Sequence, residues 1–327
     1  MSSDFPGQAL AAARPGAGRQ CAGAVLMVRP AAFAYNPETA TTNAFQRPPR
    51  PADEASSLGA RAEFVGLAAA LAAKGIRVCV LEDTPRPPKP DAVFPNNWIS
   101  FHADGTVVLY PLQAESRRQE RRAAAIEAVT ERLGYRLKRV IDLTWHEAHR
   151  RHLEGTGSLV LDHLARIAYA CLSPRTDEQV LAEWAGELGY RPVPFRAADR
   201  SGAPLYHTNV LMCIGERVVV VGLDAIAAAD RDRVLAQLRE GGREVIEIGH
   251  SQVERFAGNM LELASGGGSQ GERRLLVLSE AARRALHEET FQRLAACTDE
   301  VLVAPVPTIE RLGGGSVRCM LAEVFLP

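Results

Sequence analysis

NVLMCIGERVVVVGL, residues 209–223, sets two apolar runs against each other across the turn Ile214-Gly215-Glu216. That is a hairpin signature. The run is followed by a stretch with apolar spacing near 3.6, residues 226–240, and then by a short strand, GREVIEIG (242–249). The same order recurs along the chain. Apolar runs AVLMVRP (24–30), TVVLYPL (106–112), SLVLDHLARIAYACLS (158–173) and RRLLVLSE (273–280) precede helical stretches 54–74, 115–134, 176–189 and 280–296. A strand-like segment follows each of them: IRVCVLEDT, YRLKRVIDLT, YRPVPFRA and EVLVAPVPT. The third run also carries a hairpin turn, at Asp162-His163. Five copies of one strand, helix and strand unit predict an α/β fold built by radial repetition, a five-bladed pseudo-symmetric propeller. A doubly wound sheet with a dinucleotide site is disfavoured, because no GxGxxG follows the first strand. In a radial array, loops from every repeat converge on the axis, where residues far apart in sequence can meet.

Bulk composition bounds the function. With 327 residues and 46 % hydrophobic content the chain can bury a large core. Its 38 basic residues meet 39 acidic ones, so nucleic acid and anionic membrane have no electrostatic signature. The run RRQERR (Arg117 to Arg122) reads as a solvated helix face. Six cysteines without a CxxC or close pairs are neither a disulfide framework nor a zinc knuckle, and a reducing cytoplasm is expected. Residues 1–22, small and Ala/Gly/Arg-rich, read as a mobile tail ahead of a single domain, 23–327. No run of about eighteen apolar residues marks a transmembrane helix.

Polar residues interrupt the repeats at four places. DAVFPNNWISFH (91–102) puts Pro95 and two asparagines inside a strand-like run, LEGTGSLVLD (153–162) places Glu154 before a Gly-Thr-Gly turn, and LYHTNVLM (205–212) carries His207 and Asn209 on one strand face. GGGSVRC (313–319) sets three glycines just ahead of Cys319, near the chain's end. Taken singly, each reads as a turn, a solvated carboxylate, a structural histidine or a buried small hydrophobe. Together they supply a nucleophile, a base, a carboxylate and amides from different repeats, the inventory of a covalent hydrolase. HEAHRRH (146–152) competes as a metal cluster, since His146, His149 and His152 share one helix face, but it lacks HExxH spacing and reads instead as a polar helix end. No metal or other cofactor is expected.

These motifs, in this order over residues 23–327, resemble the pentein superfamily of guanidine-modifying α/β-propellers, and within it the citrulline-utilisation hydrolase or amidinotransferase-like family. The opening VRPAAFAYNPETATTNAFQ (28–46) shares the likeness. The resemblance implies Cys319 as nucleophile, His207 as acid/base and Glu154 as the carboxylate gripping the substrate's terminal nitrogens. Related deiminases carry aspartates where this chain has Asn97 and Asn209, and two amides suit a neutral ureido group better than a cation. Asp91 is a candidate to orient the substrate or a partner side chain. Asn36, Thr39, Asn43 and an arginine such as Arg29 or Arg318 are candidates for the amino-acid end. The implied activity is hydrolysis of a linear C–N bond in citrulline or an arginine derivative. An amidinotransferase, a deiminase and a catalytically inactive propeller used as a scaffold remain alternatives, and a homo-oligomer remains open. The glycines are expected to bring the backbone close to the channel axis.

Overall fold

The computed structural model describes residues 18–51, 56–266 and 272–325. Among the described residues fifteen strands run in chain order: β1 (Ala24–Arg29), β2 (Arg77–Glu82), β3 (Ile99–Phe101), β4 (Thr106–Leu109), β5 (Arg139–Asp142), β6 (Leu159–Asp162), β7 (Ile167–Cys171), β8 (Arg191–Phe195), β9 (Met212–Ile214), β10 (Val218–Val221), β11 (Glu244–Glu247), β12 (Leu261–Ser265), β13 (Arg273–Ser279), β14 (Glu300–Ala304) and β15 (Ala322–Val324).

Their pairing repeats one rule. An antiparallel pair is followed by a crossover that returns the third strand parallel to the second, as in β9-β10-β11, where Val220 faces Cys213 on one side and Ile246 on the other. β3-β4-β5, β6-β7-β8 and β12-β13-β14 obey it too. The fifth unit is completed from the far end of the chain: β15 pairs antiparallel with β1, and β1 parallel with β2. One further pairing, Val324 with Phe101, joins that unit to the next as a six-stranded sheet ordered β2-β1-β15-β3-β4-β5. The fold is thus mixed α/β with parallel strands in every sheet. β6 and β12 both touch β9, so first strands of neighbouring units meet.

The crossover helices form where the spacing predicts, with local signals that start and stop them. In Glu178–Leu188, the Asp177 side chain accepts from the N–H groups of Gln179 and Val180, Gly189 ends the helix at φ 68°, and Val180, Leu181, Trp184 and Leu188 go inward. Ser56–Ala73 buries Phe64, Leu67 and Leu71. The stretch read as one helix over 115–134 breaks into Glu115–Arg118 and Ala124–Leu133, which frees Arg117 to turn inward. Among the described residues apolar burial is distributed over four clusters that run between neighbouring units, the largest joining the units of β6, β9 and β12.

The chain is packed from Gln20, earlier than the expected boundary at residue 23. The Gln20 amide donates to the carbonyls of Leu161 and Ile214 and accepts from the His163 N–H, and the Cys21 thiol donates to Glu262. These residues tie three units together; residues 1–17 of the expected tail lie outside the described residues. Among the described residues no helix is long and apolar enough to cross a membrane.

Candidate active site

Four loop entries meet at one pocket. Each comes from a short helical turn that precedes a first strand: Pro95–Asn97 before β3, Gly155–Ser158 before β6, Thr208–Val210 before β9 and Val317–Met320 before β15. Glycine makes the convergence possible. A Cβ at Gly155, where φ is +47°, would lie 2.2 Å from the Asn96 carbonyl oxygen. One at Gly157 would lie 2.5 Å from Asn97 Nδ2 and 2.6 Å from His207 Cε1. Nothing larger than glycine leaves room for these side chains.

Glu154 is fully buried, with both oxygens engaged. Oε1 accepts from the Gln113 N–H at 3.0 Å; Oε2 lies 2.9 Å from His207 Nε2 and 3.4 Å from Arg175 Nη1, with Arg117 Nη1 at 4.0 Å. Burial alone would push its carboxyl up, but Arg175, the His207 hydrogen bond and Arg117 outweigh it and hold the group well below the usual carboxylate range. Burial lowers the His207 imidazole to about 4 despite Glu154, with Arg175 and Arg117 adding to the fall. At neutral pH the pair is therefore a carboxylate and a neutral ring. Glu154 can only accept, so Nε2 carries the ring proton and Nδ1 is left basic.

Cys319 is buried on the Val317–Met320 turn. Its sulfur lies 3.6 Å from Asn209 Nδ2 and 3.4 Å from Asn259 Nδ2. Burial raises the thiol, opposed by a backbone hydrogen bond at Ser316, the Asn259 amide, the Arg318 charge and the Asn209 amide. Asn209 Nδ2 also donates to the Thr156 carbonyl. Asn97 Oδ1 accepts from Arg117 Nη1 at 2.7 Å, whereas its buried Nδ2 has no partner among the described residues.

The pocket gathers Cys319, His207, Asn97, Asp91 and Asn43 with Thr39. Asp91 accepts from Asn36 at 2.7 Å and from Thr39, and burial raises its carboxyl against the pull of Arg117. Asn36 stands behind Asp91, capping Pro37–Ala40 through Glu38 N–H. Asn43 serves the glycine loop: its amide donates to the Gly314 carbonyl at 3.2 Å. A Cβ at Gly314, φ +62°, would lie 2.6 Å from that amide, and one at Gly313 would lie 2.8 Å from Phe94.

Two expectations change. Arg117 is 2 % exposed, ion-paired to the equally buried Glu120, so RRQERR is a solvated face only in part. Its inward turn follows from the break in the helix, which the charge pattern does not show. Arg29 pairs with Glu82, and Arg318 points to Glu323 and the Leu321 carbonyl; neither lines the pocket. The arginines that do line it are Arg117 and Arg175, and nothing in LSPRTDE sets Arg175 apart from a loop residue. Asn259 was equally hidden in FAGNM. The HEAHRRH histidines diverge: His146 bonds Glu183, His152 bonds the Pro174 carbonyl, and no group of three or more metal-ligating side chains gathers among the described residues.

A family model for eukaryotic N,N dimethylarginine dimethylhydrolase matches residues 29–326. The chain belongs to that family. It is a pentein, and a hydrolase of the class acting on C–N bonds in linear amidines. No curated protein sequence matches it. Among solved structures, the substrate-bound N-terminal domain of ArgZ, an arginine dihydrolase from cyanobacteria, aligns with TM-score 0.70 at 17 % identity, covering 93 % of this chain and 98 % of that domain. Against full-length ArgZ the TM-score is 0.68 at 18 % identity, and the chain spans 41 % of the length. A dimethylarginine dimethylaminohydrolase carrying an S-methyl-L-thiocitrulline adduct aligns with TM-score 0.61 at 14 % identity, covering 92 % of this chain and 98 % of that one.

Proposed function

We propose that this pentein hydrolyses the C–N bond of a planar ureido or guanidino group on an amino-acid side chain through a covalent Cys319 adduct, with a citrulline-type ureido compound as its preferred substrate. The five sheet units then form the blades of a propeller, with the pocket at the axis end where four of them deliver their loops.

The observation that carries the substrate preference is the Asn97 amide. Arg117 can only donate, so it fixes Oδ1 and leaves Nδ2, beside Gly157 on a residue of the pocket wall, as an unpartnered donor. A guanidinium carries only N–H donors and would leave that group unsatisfied, at a cost of about 1–3 kcal/mol. A ureido carbonyl accepts it. Asn209 and Asn259 likewise present N–H groups near the sulfur.

The steps follow from the protonation states. His207 Nδ1 takes the Cys319 proton as sulfur adds to the central carbon, and the carbonyl electrons move onto oxygen, where amide N–H groups meet the charge. Collapse breaks the bond to the side-chain nitrogen, and His207 returns the proton to the departing amine. Water, deprotonated by the now neutral ring, displaces sulfur and releases carbamate, which decays to ammonia and carbon dioxide. From citrulline the amine product is ornithine. Glu154 holds His207 in the required tautomer, while Arg175 and Asp91 offer opposite charges to the carboxylate and ammonium of the substrate's amino-acid end.

The guanidino alternative is favoured by the family itself and by ArgZ, of which a form covalently bound to a reaction intermediate is known. Incubation with citrulline, arginine and dimethylarginine separately, with ornithine, citrulline and ammonia assayed, decides between them. Ornithine and ammonia from citrulline are expected, with none from Cys319→Ser. Turnover confined to arginine or dimethylarginine would overturn the ureido preference, and no turnover of any would overturn the hydrolase reading.

A further inference from the structure

Asn259 is fully buried and belongs to a unit that contributes none of the residues the sequence singles out, the one beginning with β12. The segment that carries it is pressed against the His207 loop. A Cβ at Gly258 would lie 2.6 Å from the Leu211 carbonyl carbon and 2.7 Å from the Val210 carbonyl oxygen, so only glycine allows Asn259 its place.

Its orientation is forced by partners that have one role each. The backbone N–H of Arg318 reaches Oδ1 at 3.2 Å, and the backbone carbonyl of Asn209 takes an N–H from Nδ2 at 2.9 Å. The amide therefore cannot be flipped, and Nδ2, 3.4 Å from Cys319 Sγ, has its second N–H for the sulfur. Asn209 is arranged alike: Nδ2 gives one N–H to the Thr156 carbonyl at 3.1 Å and lies 3.6 Å from Sγ. A neutral thiol has acceptors in the same two amides, Asn209 Oδ1 and Asn259 Oδ1, each at 3.8 Å. The two Nδ2 groups lie nearer, at 3.6 and 3.4 Å, and two N–H donors on one sulfur suit an anion better than a thiol.

Resting on the reading of Cys319 as nucleophile, we infer that Asn259 is a catalytic residue: its Nδ2 stabilises the thiolate, while its Oδ1 fixes the turn that presents it. The charged and titratable groups around the sulfur are Arg318 on its own turn, Tyr206 and His207 on the facing loop, and Asp91, Arg117 and Arg175 across the pocket. Among the described residues the side-chain hydrogen bonds to this sulfur come from the two amides, not from these groups.

Alkylation of the substrate-free enzyme by iodoacetamide, followed against pH and localised by peptide mass spectrometry, tests this without reference to substrate. Asn259→Ala removes both functions. Asn259→Asp keeps an acceptor for the Arg318 N–H and replaces the donor facing sulfur, so it serves where the alanine variant fails to fold. The alkylation midpoint of Cys319 is expected to move up by about one pH unit in either variant, roughly a tenfold loss of rate below the midpoint. Wild-type midpoints in both folded variants would overturn the role of Asn259 and leave Cys319 as nucleophile standing. A wild-type Cys319 no more reactive than the other cysteines would overturn both.

Discussion

His207 Nε2 lies 2.9 Å from Glu154 Oε2, and both side chains are closed off from solvent. Glu154 is thus engaged with the histidine, with Arg175 and with the Gln113 backbone, and it is not among the residues that line the pocket. In the proposed mechanism this contact fixes the proton on Nε2. Glu154→Gln substitutes a group that can donate as well as accept and lets the ring take the other tautomer. The expected result is a fall in kcat of about 10²–10⁴-fold with KM changed much less. Steady-state kinetics check it; a rise in KM at unchanged kcat would mean that Glu154 acts on substrate binding instead.

Gly157 controls the same histidine through space. Gly157→Ala adds a single methyl where Asn97 Nδ2 and His207 Cε1 stand 2.5 and 2.6 Å away. His207 is pinned by Glu154 and Asn97 by Arg117, so neither yields without losing its partner. A displacement on the order of 1 Å costs about a hundredfold in rate. The variant is expected to lose about that much kcat and also to melt below the wild type, since forcing a methyl into this packed site costs about 1–3 kcal/mol, read by initial rates and calorimetry. Wild-type turnover would show that the pocket tolerates a displaced His207.

The sequence carries the repeat unit legibly because a buried second strand must be apolar throughout and a crossover helix must show 3.6 spacing, as β10 and Ala228–Glu240 do. First strands are harder to see. β3 and β15 have only three residues each, too short for alternation, and their place is set by pairing with strands far away. The same division holds at the site. Cys319, His207 and Glu154 stand out because glycines or strand starts frame them. Arg117, Arg175 and Asn259 do not, since an arginine in a charged run or an asparagine after glycine has the pattern of a surface turn. Only the tertiary approach of other loops buries them.

Asn97 sets the polarity of the pocket. Asn97→Asp keeps an oxygen for Arg117 and turns the facing donor into an acceptor carrying charge. Hydrolysis of a ureido substrate is expected to fall by about 10- to 100-fold in kcat/KM, as a donor to its carbonyl is lost, while a guanidino substrate gains relative to it. The ratio of kcat/KM values for citrulline and arginine is the measurement. An unchanged ratio would remove Asn97 from the basis of discrimination.

The buried histidine also ties stability to pH. His207 titrates at about 4 in the folded chain, against about 6.5 unfolded. As pH falls below 6.5 the unfolded state binds a proton that the folded state refuses, so the stabilising contribution is complete above that pH and declines until pH reaches about 4. The slope is at most about 1.4 kcal/mol per pH unit. Other groups overlay it: burial holds His102 at about 4 and works in the same direction, whereas burial of Glu120, only partly offset by Arg117, raises that carboxyl to about 7 and works in the opposite one. The contribution of His207 is therefore read as a difference between proteins. Urea unfolding at pH 7.5 and pH 4.5 is expected to show the wild type losing on the order of 2–3 kcal/mol more than His207→Asn across that interval. Parallel losses in the two proteins would mean that His207 takes up its proton in the folded chain as readily as in the unfolded one, and the neutral imidazole assigned to the resting site would be wrong.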